Sequence, residues 1–110
     1  MPLAIVQTRA RVGMNAPQVT VEVHLSNGLP AFNMVGLPDA AVRESKERVR
    51  SAILNAGFDF PQRRITINLA PADLPKDGGR FDLPIAVGIL AASEQIALAS
   101  VEPFEFIGEL

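Results

Sequence analysis

Cysteine is missing from all 110 residues, and so are tryptophan and tyrosine. Without thiols there is no disulfide framework, no thiolate metal centre and no cysteine nucleophile, and nothing marks an oxidising compartment. Histidine occurs once, as His24, on the polar face of a predicted strand, where a solvated surface residue is the plain reading. No window approaches ~18 uninterrupted apolar residues, so a membrane span is excluded. At the amino end, "MPLAIVQTRARVG" places Arg9 and Arg11 after a short apolar run. That order inverts a signal peptide's, so the chain reads as cytoplasmic. Neither charge sign dominates: 10 basic residues face 12 acidic ones, a net charge of −2. Such a balance excludes a domain whose whole surface grips nucleic acid, and any such contact must be local.

What is present suits one domain, residues 1–110, able to bury roughly 60–68% of its unfolded surface without covalent staples. A hydrophobic content of 48% implies apolar surface destined for a neighbour, as in a module of a longer protein. From Gln18 to Ser26, "QVTVEVHLS" alternates Val19, Val21, Val23 and Leu25 against Thr20, Glu22, His24 and Ser26, a strand covered on one face. Asn27-Gly28 favours a tight turn, which predicts an antiparallel return over Ala31–Val35. The opening segment, Leu3 to Val12, supplies a further strand.

The period then changes. Asp39 is a plausible N-cap and Gly57 a left-handed residue past the end of one long helix. Val42, Val49, Ile53 and Ala56 gather on its inner side, with Arg43, Glu44, Glu47, Arg48 and Ser51 opposite. Arg43–Glu47 and Glu44–Arg48 are i,i+4 pairs, each worth a few tenths of a kcal/mol. "RRITINLA" alternates again as a fourth strand. Asp82 is then expected to cap a helix over Leu83–Gln95, with Pro84 tolerated in its first turn. That helix is apolar all round, so it needs cover all round, from another element or a partner. "FEFIGEL" reads as one more strand, just begun. The pattern is α+β, two layers in the order β-β-β-α-β-α.

Between the fourth strand and the last helix lies "LPKDGGRFDLP". A phosphate-cradling loop needs G-x-x-x-x-G-K-[ST], and Gly78-Gly79-Arg80 lacks the spacing, the Lys and the hydroxyl. Asp77 and Asp82 would repel an anion at the helix start. Nucleophilic catalysis needs a Ser, Thr or Cys beside a base, and the loop has none. Asp73, Asp77 and Asp82 follow no dedicated Ca²⁺ spacing. Asp, Gly and the flanking Pro71 and Pro75 read as turn chemistry. Elsewhere, Lys46 and Arg50 share a helix edge with Arg43, and Leu54 protrudes beside them. This edge is either simply solvated or a contact for DNA phosphates or an acidic partner.

The stretch "SNGLPAFNMVGLPDAAVRESKERVRSAILNAGFDFPQRRITINLAPADLPKDGGRFDLPIAVGILAAS" resembles the N-terminal region of the magnesium-chelatase-like AAA+ ATPases, the competence protein ComM (YifB) family. The likeness is close over Ser26–Ser93 and looser at the flanks. It implies a domain similar to the Lon proteolytic domain and to domain 2 of ribosomal protein S5, truncated at its C-terminal side, with a left-handed crossover. Lon-type proteases carry Pro-Lys-Asp-Gly-Pro-Ser in the corresponding loop. Pro75, Lys76, Asp77 and Gly78 match it, but Gly79 and Arg80 stand where Pro and the nucleophilic Ser would be. A guanidinium stays protonated and cannot attack a carbonyl.

By this resemblance the chain is a non-catalytic accessory domain beside its own ATPase module, aiding ring assembly or DNA guidance in recombination or transformation. ATP and Mg²⁺ are expected for the parent protein, a homo-oligomeric ring as its assembly, and DNA as a possible partner. No catalytic, cofactor or metal residue is expected within the fragment. Lys76, Asp77, Gly78, Gly79 and Arg80 are an expected remnant or interface loop; Arg43, Lys46, Arg50 and Leu54 are candidate outer contacts. The alternatives are a degenerate or unconventional Lon-like peptidase and a purely structural oligomerisation module.

Overall fold

The alternating segments form one four-stranded sheet in the computed structural model, which describes residues 3–110. The strands are β1 (Leu3–Arg9), β2 (Gln18–Ser26), β3 (Ala31–Val35) and β4 (Arg64–Ala70), in spatial order β1-β2-β4-β3. β2 pairs antiparallel with both β1 and β4, and the register aligns Val6, Val21 and Leu69 in one row and Ala4, Val23 and Ile67 in the next. Because successive strand residues face opposite sides, all four apolar residues of β2 and all three of β4 point to the same layer. All seven are at most 1% exposed. Each such Val, Ile or Leu contributes about 1.5–3 kcal/mol by leaving water.

The expected tight hairpin from β2 into β3 does not form. β3 does run opposite to β2, but β4 lies between them and pairs with β3 in parallel. A two-residue type I′ turn needs φ > 0 at both central positions, whereas Asn27 is not in that region and Gly28 sits at φ 132°. The chain swings wide through Leu29 and Pro30, and the Ala31 N–H reaches the Arg63 carbonyl at 3.4 Å. The first strand is also shorter than expected. It ends at Arg9, and Val12 joins Asn15 only through an isolated bridge at the hairpin tip.

The expected single helix is two: α1 (Ala40–Arg43) and α2 (Lys46–Asn55). Asp39 caps the first, its Oδ1 accepting the Val42 N–H at 2.9 Å, and Gly57 follows the second at φ 87°. At the junction the Ser45 N–H bonds the Val42 carbonyl, a tighter i→i−3 turn. The Ala41 carbonyl accepts instead from the Arg48 guanidinium at 2.7 Å. Val42, Val49 and Ile53 are buried as expected, while Ala56 is exposed. Arg43 donates to the Pro38 carbonyl and Arg48 to Asp82; the expected Glu44–Arg48 pair survives only as a through-space attraction, secondary to Asp82.

The last long helix, α3 (Asp82–Ala92), packs across β1 and β2 and against α2. It stops three residues earlier than expected, where Glu94 takes φ 62° and the Gln95 N–H turns back to the Leu90 carbonyl. That is a left-handed helix end built without glycine. At Gly88 the helix comes so close to the sheet that a Cβ would stand 2.5 Å from Val23 Cγ2. The all-apolar surface of α3 finds part of its cover in a short helix, α4 (Leu98–Val101), and in the closing segment. There the Leu83 N–H donates to the Gly108 carbonyl at 3.0 Å. "FEFIGEL" is not a strand: it contributes one parallel bridge, Gln7 to Glu105, and a hydrogen bond from the Phe106 N–H to the Gln7 carbonyl. The result is a two-layer α+β domain with its helices on one face. The other sheet face is open and carries exposed Ile5, His24 and Asn68.

Candidate functional site

The loop after β4 is a fixed frame. Lys76 is fully buried; its Nζ donates to the Leu69 carbonyl at 3.0 Å and to the Pro71 carbonyl. Its backbone continues the frame, with the Lys76 N–H on the Leu37 carbonyl and the Asp39 N–H on the Lys76 carbonyl at 2.8 Å. Asp39 therefore does two jobs, capping α1 through Oδ1 and accepting the Gly78 N–H through Oδ2 at 3.3 Å. Gly78, at φ 83°, makes the bend that only glycine enters cheaply. Within the expected remnant or interface loop, Lys76 turns its ammonium inward and holds the loop to β4, so its side chain offers no outer contact in this chain. Burial lowers its pKa from the usual lysine value, since a desolvated ammonium is disfavoured, with Asp73 opposing the shift.

Arg80 and Asp77 remain accessible from the loop. They line an open depression of about 230 Å³ together with Arg11, Asp39 and Gly78. Among these lining residues there is no Ser, Thr, Cys or His to act as nucleophile or base. Asp82, expected as a helix cap, makes no capping bond. Its buried carboxylate accepts the Arg48 Nε–H at 2.8 Å, an Arg48 Nη2–H at 3.0 Å and the Leu110 N–H at 3.2 Å. The guanidinium's own bonds to Asp82, outweighing partial burial, raise the pKa of Arg48. A carboxylate so occupied is closed to a metal, and among the described residues no three His, Asp or Glu side chains converge on a metal position.

The second place of interest lies on α2. Lys46 and Arg50 are one turn apart and open onto a concavity of about 220 Å³. Its opposite wall comes from the segment ahead of β4, Phe60 to Arg63, and its end from Pro30 and Ala31. Arg63 also holds Asn27 Oδ1 at 3.5 Å. Three cations and the Gln62 amide thus face one carboxylate, Glu47, in a chain whose overall charge is negative. The other two candidates on this edge separate from the pocket. Arg43 belongs to α1 and is turned to the Pro38 carbonyl, and Leu54, 42% exposed, lies outside the lining. Arg63 escaped sequence reasoning because a wheel projection compares residues of one helix only. Its signal was the Arg63-Arg64 doublet heading a strand, where alternation accounts for just one of the two.

A two-layer α+β module with a glycine-bent, lysine-anchored loop and a basic concavity on its second helix is the class the geometry defines. Residues 21–110 match the family described as subunit ChlI of Mg-chelatase, and this chain belongs to it. Over all 110 residues it is 64% identical to the protein YifB of Salmonella typhimurium, 63% to competence protein ComM of Haemophilus influenzae and 60% to YifB of Escherichia coli. The chain spans 22% of the length of each of these relatives and corresponds to their N-terminal part.

Proposed function

We propose that this chain is a non-catalytic accessory domain of a ComM/YifB-like AAA+ ATPase, acting in the cytoplasm beside its own ATPase module in ring assembly or DNA guidance. The observation that carries the reading is the 63% identity, across the whole chain, with a protein named for competence. The chemistry is in keeping with it: in the loop that resembles a Lon protease site the lysine is buried, and the resemblance aligns Arg80, which cannot attack a carbonyl, with the nucleophilic serine of those proteases. ATP and Mg²⁺ belong to the parent's motor. The residues of this chain do not fit a nucleotide site, because its glycine loop lacks the phosphate-binding spacing and Asp39 and Asp77 flank it.

A structural role in assembly draws support from one further feature, an apolar groove along edge strand β1 where Leu3 and Ile5, both at least 40% exposed, meet Leu98. Deletion of residues 1–110 from a full-length relative separates the readings. On the accessory reading, ATP turnover persists while DNA dependence or ring size changes. Unfolded casein cut in the presence of ATP, with cleavage abolished by changes in the Lys76–Arg80 loop, would replace it with the peptidase reading. Ring size lost with DNA dependence intact would mark a purely structural module.

A further inference from the structure

We propose that the concavity between α2 and the Phe60–Arg63 segment seats the phosphates of a single-stranded nucleic acid, with Lys46, Arg50 and Arg63 as the phosphate contacts. The proposal rests on the DNA-guidance reading above and narrows it to one site and one kind of strand. Lys46 and Arg50 project from one helix and Arg63 from across the pocket. An anion inside is therefore met from two sides, which a solvated helix edge does not provide. Two of the three cations are guanidiniums, whose planar forks match phosphate oxygens in pairs. The wall between them is made by Phe60, Pro61 and Pro30, groups that lower the local dielectric and strengthen each charge contact.

The same geometry selects a single strand over a duplex. A duplex presents phosphates along a stiff, broad surface and needs a basic face of matching extent. Here the positive charge is confined to one hollow of about 220 Å³, on a chain with net charge −2. A flexible strand can bend one or two phosphates into that hollow and lay a base against an aromatic wall. A duplex is too stiff over a few base pairs to bend its backbone into such a hollow.

The test is fluorescence anisotropy of a fluorescein-labelled oligothymidylate, and of a matched duplex, with the purified 110-residue chain. Three single-strand phosphate contacts give a salt slope of about −2, so affinity falls roughly 20-fold between about 50 and 200 mM salt. Lys46→Gln, Arg50→Gln and Arg63→Gln each reduce that slope by about 0.7, leaving a fall of roughly 7-fold. Glu47→Gln, which removes the carboxylate from the lining, tightens binding, a gain that a merely structural role would not produce. Arg11→Gln, on the other depression, changes nothing. Duplex bound as tightly as the single strand, or binding indifferent to Arg63→Gln, overturns the proposal. Inorganic polyphosphate displacing the oligonucleotide at equal phosphate concentration overturns it too, since the pocket would then read charge alone. If this chain binds no oligonucleotide while its deletion still alters ring size in a full-length relative, the pocket falls and the accessory role stands.

Discussion

Arg48 and Asp82 form an ion pair whose two ends sit in different environments, so removing one partner should cost much more than removing the other. The Asp82 side chain is 1% exposed and the Arg48 side chain 37%. Replacing Arg48 with Met strips the carboxylate of both guanidinium bonds and leaves only the Leu110 N–H, at 3.2 Å. An uncompensated buried charge of this kind costs about 3–5 kcal/mol. The change also frees the Ala41 carbonyl, which holds the α1–α2 junction. Asp82→Asn leaves instead a guanidinium more than a third exposed, which water can resolvate, and the loss is about 1–2 kcal/mol. Arg48→Met combined with Asp82→Leu removes both charges and should recover much of the larger loss, because an apolar pair carries no desolvation penalty. With a urea slope of about 1–3 kcal/mol/M, a central difference of about 2.5 kcal/mol separates the midpoints of the two single variants by roughly 0.8–2.5 M. Urea unfolding followed by far-UV circular dichroism resolves that difference. Equal costs for the two single variants, or a double variant as unstable as the sum of its parts, would refute the reasoning.

Gly36 has φ 107°, and a Cβ added there would stand 2.1 Å from the Leu69 carbonyl oxygen. Gly36→Ala combines a backbone clash with a left-handed penalty, so a loss of about 3 kcal/mol or more is expected; a melting temperature lowered by only a degree or two would contradict it. Lys76 supplies a pH dependence: its folded pKa is lowered by burial, so above that value the unfolded chain binds more protons and stability rises with pH. The rise ends near the unfolded lysine value of about 10.4. Because the sequence has no Tyr or Cys and its only other lysine is the exposed Lys46, the alkaline rise should vanish in Lys76→Met and persist in Lys46→Met. A wild-type stability flat from neutral pH to about 10 removes the argument.

Local sequence determined the elements whose neighbours lie within a few residues. The alternation of Val19–Leu25 and Ile65–Leu69 fixed both strands and their buried faces, because the strand period of two leaves no second way to hide those side chains. Asp39 and Gly57 likewise marked a helix start and end, since capping acts over three or four residues. Tertiary structure alone decided whatever depends on groups distant in the chain. β4 took the place beside β2 that the Asn27-Gly28 turn seemed to reserve for β3, since its fully apolar face pairs with β2 along seven residues. Lys76 and Asp82 read as loop and cap residues because their partners, Leu69, Pro71 and Arg48, come from separate elements or from the backbone. The basic hollow needed Arg63, 13 positions beyond Arg50, to be folded back across α2. Charges add by distance in space, and no one-dimensional period records that distance.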